Sequence, residues 1–358
     1  MALGRYGAPV DAPPPTTLGA VPHGQPTAAD GPLDAAARFT AARALRHRPL
    51  SGAVGAVDLD DGRTVVVKRG DGPDAVRAEA AGLRWLARAG AVPVPAVHGH
   101  DERWLVTNRV PDGRPSPQGA FRLGRELAAL HAAGAPAFGA PPPGGPREAS
   151  IGRAPLRNVP GDDWPAWYAE HRVLPYLRTA LDDGALRPRE AAELERLCAR
   201  LPGLAGPAEP PARLHGDLWN GNVLWDAGGR AWLTDPAAHG GHRETDLAML
   251  HLFGCPHLDR VLDGYQEEAP LADGWHERTG PSSSPCWCTP CSSAARTPSR
   301  RSRWHGPRGE TRAPSGSRAG VSARPDHRRR TTRCCPCSSA AGSSRNSSAS
   351  ACWSVRTG

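Results

Sequence analysis

RLHGDLWNGNVLWDAGGRAWLTDP, residues 213–236, decides how this chain is read. "NVLW" and "RAWLTD" are strand-like, and "DAGG" between them is a turn. Closing that hairpin brings Asn222, at the start of the first strand, near Asp235, at the end of the second. Asp217 sits five residues before Asn222 in the entering loop. Two carboxylates and an amide are thereby expected at one end of a hairpin. Mg²⁺ takes oxygen ligands of this kind, held by one or two carboxylates and completed by substrate phosphates. An acid placed just before such ligands can take a proton from a hydroxyl nucleophile.

The spacing H-x-D-x-x-x-x-N, here His215, Asp217 and Asn222, is similar to the kinase catalytic loop, and Asp235 falls where a second metal-binding Asp belongs. The upstream sequence supports that division of labour. "AVDL" and "TVVVK" (56–59 and 64–68) are β-rich runs joined by "DDGR", a hairpin signal. "DAVRAEAAGLRWLARAG" (74–90) places Val76, Ala80, Leu83 and Leu86 at helical steps, with Gly90 at its end. Lys68 on the strand and Glu79 on the helix are then positioned to pair at the nucleotide phosphates. Of 44 basic residues only Lys68 is a lysine, and a compact ammonium is not replaced by the planar fork of arginine. "SGAVGA" (51–56) is expected to cover the phosphates, Gly52 and Gly55 letting backbone N–H groups approach. "WLVTNRVPDG" (104–113) reads as the hinge between lobes, meeting adenine near Asn108, Arg109 and Val110.

Further helices are expected over 33–47, 121–134, 162–184 with a kink at Pro175, 187–203, and from about Arg243. The segment 138–158, rich in Pro and Gly, reads as a loop. The fold class is α+β, with a small antiparallel sheet over 33–110 and mainly helices over 111–280; the likeness to the kinase catalytic loop implies that these are the two lobes of a protein-kinase-like fold. Residues 1–32 read as a disordered extension.

"HGDLWNGNVLW" together with "DPAAHGGHRETDLAMLHLFG" resembles the fructosamine kinases, or ketosamine 3-kinases, over residues 35–280. Leu218-Trp219 after the acid and "GHRETDLAM" are its more specific marks. "NRV" at the hinge departs from the acid-aromatic-apolar pattern usual there. The resemblance implies ATP with Mg²⁺ and phosphorylation of the 3-hydroxyl of a sugar joined to an amine, which destabilises the adduct and releases the amine. It implies Asp217 as base, Asn222 and Asp235 as metal ligands, and Lys68 and Glu79 at ATP. His215, Trp219, His239, Glu244 and Asp246 would line or brace the sugar side, and Asp246 is equally placed to meet the helix dipole. The implied partners are small ketosamines or glycated lysines on proteins. The alternative is a kinase-shaped binding module without turnover.

Charge and cysteine separate the end of the chain from its body. Residues 281–358 carry a net +12 and seven of nine cysteines; the rest carries −4 and only Cys198 and Cys255. A body with two distant cysteines has no disulfide framework. With no apolar signal segment and no run of about 18 apolar residues, a cytoplasmic protein off the membrane is expected. The mildly acidic body argues against nucleic acid as partner. The tail contains no Leu, Ile, Phe or Lys. Back-translated with GC-rich codons and read two bases later, it yields an apolar segment of helical period. It is therefore expected to be disordered and out of frame, with a loss of core that destabilises the chain as written.

Overall fold

The computed structural model describes residues 30–279 apart from residue 153. The expected disorder of the N-terminal extension up to 29 and of the tail from 281 lies outside the described residues.

Helix α1 (Pro32–Thr40) is followed by strands β1 (Ala44–Ser51), β2 (Val54–Leu59) and β3 (Thr64–Arg69), helix α2 (Pro73–Ala87), and strands β4 (Val97–His100) and β5 (Trp104–Asn108). The strands form one antiparallel sheet in the order β1-β2-β3-β5-β4. Its inward positions Val57, Leu59, Val65, Val67 and Val106 are buried against Ala35 and Ala36 of α1, the alternation expected of a half-buried sheet.

The helix expected over 33–47 stops at Thr40. Ala41 turns into the left-handed region at φ 55°, and Ala44 to Ser51 pair with β2 instead, Ala44 opposite Leu59 and Ser51 opposite Val54. Pro49 removes a helical hydrogen bond but is tolerated on an edge strand, which is where β1 lies.

The second lobe runs α3 (Pro117–Ala132), β6 (Glu148–Ile151), β7 (Ala154–Arg157), α4 (Trp164–Tyr168), α5 (Leu174–Asp182), α6 (Pro188–Leu204), β8 (Ala212–Leu214), β9 (Val223–Trp225), β10 (Ala231–Leu233), β11 (His239–Gly241), α7 (Glu244–Phe253), α8 (Leu258–Glu268) and α9 (Trp275–Thr279). Helix α3 starts four residues before its expected beginning because the Ser116 hydroxyl accepts the Gly119 N–H at 3.0 Å, an N-cap. The kink expected at Pro175 is a π-helical turn, Ala169–Val173, between α4 and α5. The region expected as a loop contains the β6–β7 hairpin, paired from Glu148 opposite Arg157 to Ile151 opposite Ala154.

A single buried cluster joins the lobes. Val76, Leu83 and Leu86 of α2 pack with Leu105 of β5, Leu123 and Leu127 of α3, Leu218, Val223 and Leu233 of the decisive hairpin, and Leu247 and Leu250 of α7. The loop and hairpin over 217–235 thus rest on the same core that holds the helix bearing Glu79. Among the described residues no helix is long and apolar enough to cross a membrane.

Candidate active site

The hairpin forms as its sequence requires. Strands β9 and β10 pair with Val223 opposite Leu233 and Trp225 opposite Ala231. Asp226 closes the turn by accepting the N–H groups of Gly228 and Arg230, each at 2.9 Å. One step beyond the ladder the Thr234 N–H donates to the Asn222 carbonyl at 3.0 Å. That bond places Asp235 beside Asn222.

A 3₁₀ turn, Asn220–Asn222, leads into β9. Asn222 is buried, and its Nδ2 donates to the Asp217 carbonyl at 2.8 Å and the Asp217 Oδ2 at 3.2 Å. Its Oδ1 takes part in neither bond. Asp235 stands in the left-handed region at φ 53°, a conformation Asp tolerates better than most residues and a form of strain that collects at functional sites. Its Oδ1 lies 3.1 Å from Lys68 Nζ, and Lys68 Nζ lies 2.8 Å from Glu79 Oε2. The ammonium therefore bridges the sheet, the helix and the second lobe.

The electrostatics follow from that arrangement. Burial pulls the Lys68 ammonium down, but Glu79 and Asp235 more than offset it and hold it above its ordinary value, so it stays charged. Burial pushes the Glu79 carboxyl up, to about 7. Asp235 is also pushed up by burial, yet Lys68 outweighs this and leaves it below the usual carboxylate range. Among the described residues no lysine or arginine pairs with Asp217. Burial raises it, with His215 and the Asn222 amide only partly offsetting the rise.

Asp217, Trp219, Asn222, Asp235, Lys68 and Glu79 line one cavity of about 310 Å³. Ser150 to Gly152 of the β6–β7 hairpin and Asn158 beyond it form another part of its wall; sequence reasoning missed them. Gly52, Gly55, Asn108, Arg109 and Val110 do not line this cavity. Gly52 sits at the β1–β2 turn at φ 52°. A Cβ at Gly55 would lie 2.1 Å from His47 Nε2, so the missing side chain there makes room for a histidine ring rather than for a phosphate. At the hinge, the Asn108 N–H donates to the Ala96 carbonyl at 3.1 Å and the Arg109 N–H to the Thr64 carbonyl at 3.4 Å. These two amides are engaged within the first lobe, and Val110 is buried.

Four of the five residues expected on the sugar side, His215, His239, Glu244 and Asp246, lie away from the cavity. Asp246, fully buried on the first turn of α7, accepts the backbone N–H of His215 at 2.8 Å and of Gly216 at 3.0 Å. It also meets His131 Nε2 at 3.2 Å, whose Nδ1 is 2.8 Å from the Tyr265 hydroxyl. His215 Nδ1 accepts the Asp217 N–H, and its Nε2 faces the Thr234 carbonyl at 2.9 Å, so the proton belongs on Nε2. Glu244, its side chain fully shielded from solvent, forms a two-pronged pair with Arg278 at 2.6 and 2.8 Å. His239 is buried and donates Nδ1–H to the Ala237 carbonyl; burial, with Arg172 nearby, pushes it down to about 4, so it is neutral. None of the four side chains reaches the cavity. Only Trp219 of the expected sugar-side group lines it.

Gly216 shows why the loop has this sequence. It sits at φ 83°, and a Cβ there would lie 2.1 Å from the Ala237 carbonyl oxygen. Gly216→Ala is expected to destabilise the chain by about 1–3 kcal/mol from the backbone conformation alone, with more from the clash. It should also displace the adjacent Asp217. A denaturant melt together with kcat checks both effects.

Among the described residues no group of three His, Cys, Asp or Glu gathers as a metal cluster. The Asn222 amide and the Asp235 carboxylate form a sparser oxygen set. Such a set suits a cation that keeps water and takes phosphate oxygens as its other ligands.

A two-lobed fold with a lysine bridging a strand, a helix acid and a hairpin aspartate, beside a half-buried aspartate that no cation among the described residues pairs with, defines an ATP-dependent phosphotransferase of the protein-kinase-like class. A sequence model described as fructosamine kinase matches residues 60–280. A solved structure from Thermobifida fusca, assigned as a fructosamine-3-kinase, superposes with TM-score 0.64 at 47% identity, covering 69% of this chain and 87% of that one. A Thermus thermophilus protein assigned as a ketoamine kinase is 40% identical over 195 residues, 54% of this chain and 67% of its own. The chloroplastic protein-ribulosamine 3-kinase of Arabidopsis thaliana is 30% identical over 222 residues, 60% of this chain and 65% of its own. The chain belongs to the fructosamine kinase family.

Proposed function

We propose that this protein phosphorylates the 3-hydroxyl of ketosamines, fructosamine or ribulosamine adducts free or on protein lysines, using ATP and Mg²⁺, and so leads to deglycation. The observation that carries the reading is the convergence of Asp217, Asn222, Asp235 and Lys68 on one cavity. The names of the relatives supply the substrate class.

In this reading Asp217 accepts the proton of the sugar 3-hydroxyl as that oxygen forms its bond to the γ-phosphorus and the bond from the γ-phosphorus to the leaving ADP oxygen breaks. Lys68 neutralises phosphate charge, and Glu79 holds the ammonium in place. Asn222 Oδ1 and the Asp235 carboxylate would hold Mg²⁺, which when bound neutralises charge on the transferring phosphate. His215 and Asp246 fix the backbone that carries Asp217. Trp219 offers an apolar face for the sugar ring. The binding-module alternative is not favoured, because the relatives are named as kinases.

The direct test is ADP release with fructose-lysine and ribulose-lysine, with ³¹P spectra of the product. Ketosamine-dependent ADP release and a sugar phosphate signal are expected. A folded chain that releases ADP equally with and without ketosamine would refute the proposal.

A further inference from the structure

Arg172 is an unusual cation. It is 1% exposed, and among the described residues no carboxylate pairs with it. Its Nη1 donates to the carbonyls of Arg157 at 2.8 Å and His171 at 3.2 Å, and its guanidinium carbon stands 4.6 Å over the Trp167 ring. The His171 carbonyl is available because the residue four positions on is Pro175, which has no N–H to give it. Nη2 donates to Asn158 Oδ1 at 3.3 Å.

That last bond fixes Asn158. A guanidinium has donors only, so the atom facing it must be the amide oxygen and the NH₂ group must face the other way. Asn158 is itself 1% exposed, its backbone N–H is held by the Arg147 carbonyl at 2.8 Å, and it lines the cavity that contains Asp217 and Trp219. Its Nδ2 donates no side-chain hydrogen bond to the described residues. A buried cation thus turns the two N–H donors of the amide away from itself, on a residue in the wall of the cavity that also holds Asp217.

We propose that Asn158 is a specificity-determining residue whose Nδ2–H donates a hydrogen bond to an oxygen of the bound sugar other than the 3-hydroxyl, with Arg172 as the positioning residue that sets the amide's orientation. The inference rests on the ketosamine reading above. A donor in this place selects a substrate with an acceptor oxygen at one defined position, because a site built around a hydrogen bond rejects the analogue that lacks it.

The test is Asn158→Asp in the full chain. A carboxylate keeps the volume and gives Arg172 a better acceptor, so the variant should melt no lower than the unaltered chain. It replaces the donor with an acceptor, so KM for the ketosamine should rise roughly tenfold or more, while KM for ATP stays within about twofold. A panel of monodeoxy ketosamines supplies the readout that a merely structural role would not move. The unaltered chain should lose roughly tenfold on one deoxy position, and Asn158→Asp should be indifferent to that position. An unchanged ketosamine KM in a folded Asn158→Asp variant would overturn the inference, as would equal deoxy profiles in the two proteins. No ketosamine turnover by the unaltered chain would overturn the kinase reading and this inference with it.

Discussion

Asp217→Asn is expected to lower kcat for ketosamine phosphorylation by on the order of 10² to 10⁴, the usual contribution of a positioned general base. The asparagine keeps the size of the side chain and one oxygen for the Asn222 amide, so geometry survives and the proton acceptor is lost. Stability should move the other way. The folded-state pKa of Asp217 is raised by burial, so at intermediate pH the folded chain binds more protons here than the unfolded one. Stability from this group is greatest below the ordinary aspartate pKa of about 3.9 and is lost as pH rises through the folded value. At pH 7 the ionised carboxylate is therefore a burden on the fold, and the neutral amide should melt at the same temperature or higher. A stopped enzyme that is no less stable separates a catalytic carboxylate from a structural one. A variant that melts well below the unaltered chain at pH 7 would place Asp217 among the structural acids. The same shift sets the acid limb of the unaltered enzyme: kcat/KM for the ketosamine should rise with pH through a midpoint above the ordinary aspartate value.

Asp246→Ala is expected to do the reverse, costing about 3–5 kcal/mol, the usual penalty when one partner of a buried charged network is removed. It would leave the buried N–H groups of His215 and Gly216 and the Nε2 of His131 without their acceptor. The loop carrying Asp217 would lose its anchor to α7. Asp246 is pushed up by burial, yet its contacts, His131 first, hold it below the usual carboxylate range. Its stabilisation is fully present above about pH 3.9 and is lost as pH falls through the lower folded value. The gap in unfolding free energy between variant and unaltered chain should thus be full at neutral pH and narrow only in strong acid. Urea melts across that range measure it. A gap below about 1 kcal/mol at neutral pH would show that the loop is held by other contacts.

These two acids mark what a linear reading sees and what it does not. Asp217 is legible because its partners are local: Asn222 lies five residues on, and Asp235 is one hairpin away. The periodic faces of α2 and α3 and the Lys68–Glu79 pair are legible for the same reason, each resting on a short pattern or on the order of a few short elements. Asp246 reads from sequence as a sugar-side acid or a helix-dipole partner. It does sit on the first turn of α7, but its oxygens go to backbone 30 and 31 residues earlier and to His131, 115 residues earlier. Glu244 is likewise held by a distant partner, Arg278, 34 residues on, whereas His239 is held by the Ala237 carbonyl two residues before it. Gly55 reads as part of a phosphate loop, yet its empty side is filled by the His47 ring, which only the β1–β2 register brings there.

The sequence by itself determined the chemistry: an acid, an amide, a second acid and a lone lysine, in an order that a hairpin and a strand–helix pair can gather, since hydrogen-bonded turns and apolar periodicity act over a few residues. Tertiary structure alone decided the walls and the footing of the site. It made residues 44–51 a strand by pairing them with β2, raised the β6–β7 hairpin out of a Pro- and Gly-rich stretch, and set Asn158 against Arg172. Each of those outcomes depends on satisfying buried polar groups with partners supplied from elsewhere in the chain, and local pattern does not encode which distant partner arrives.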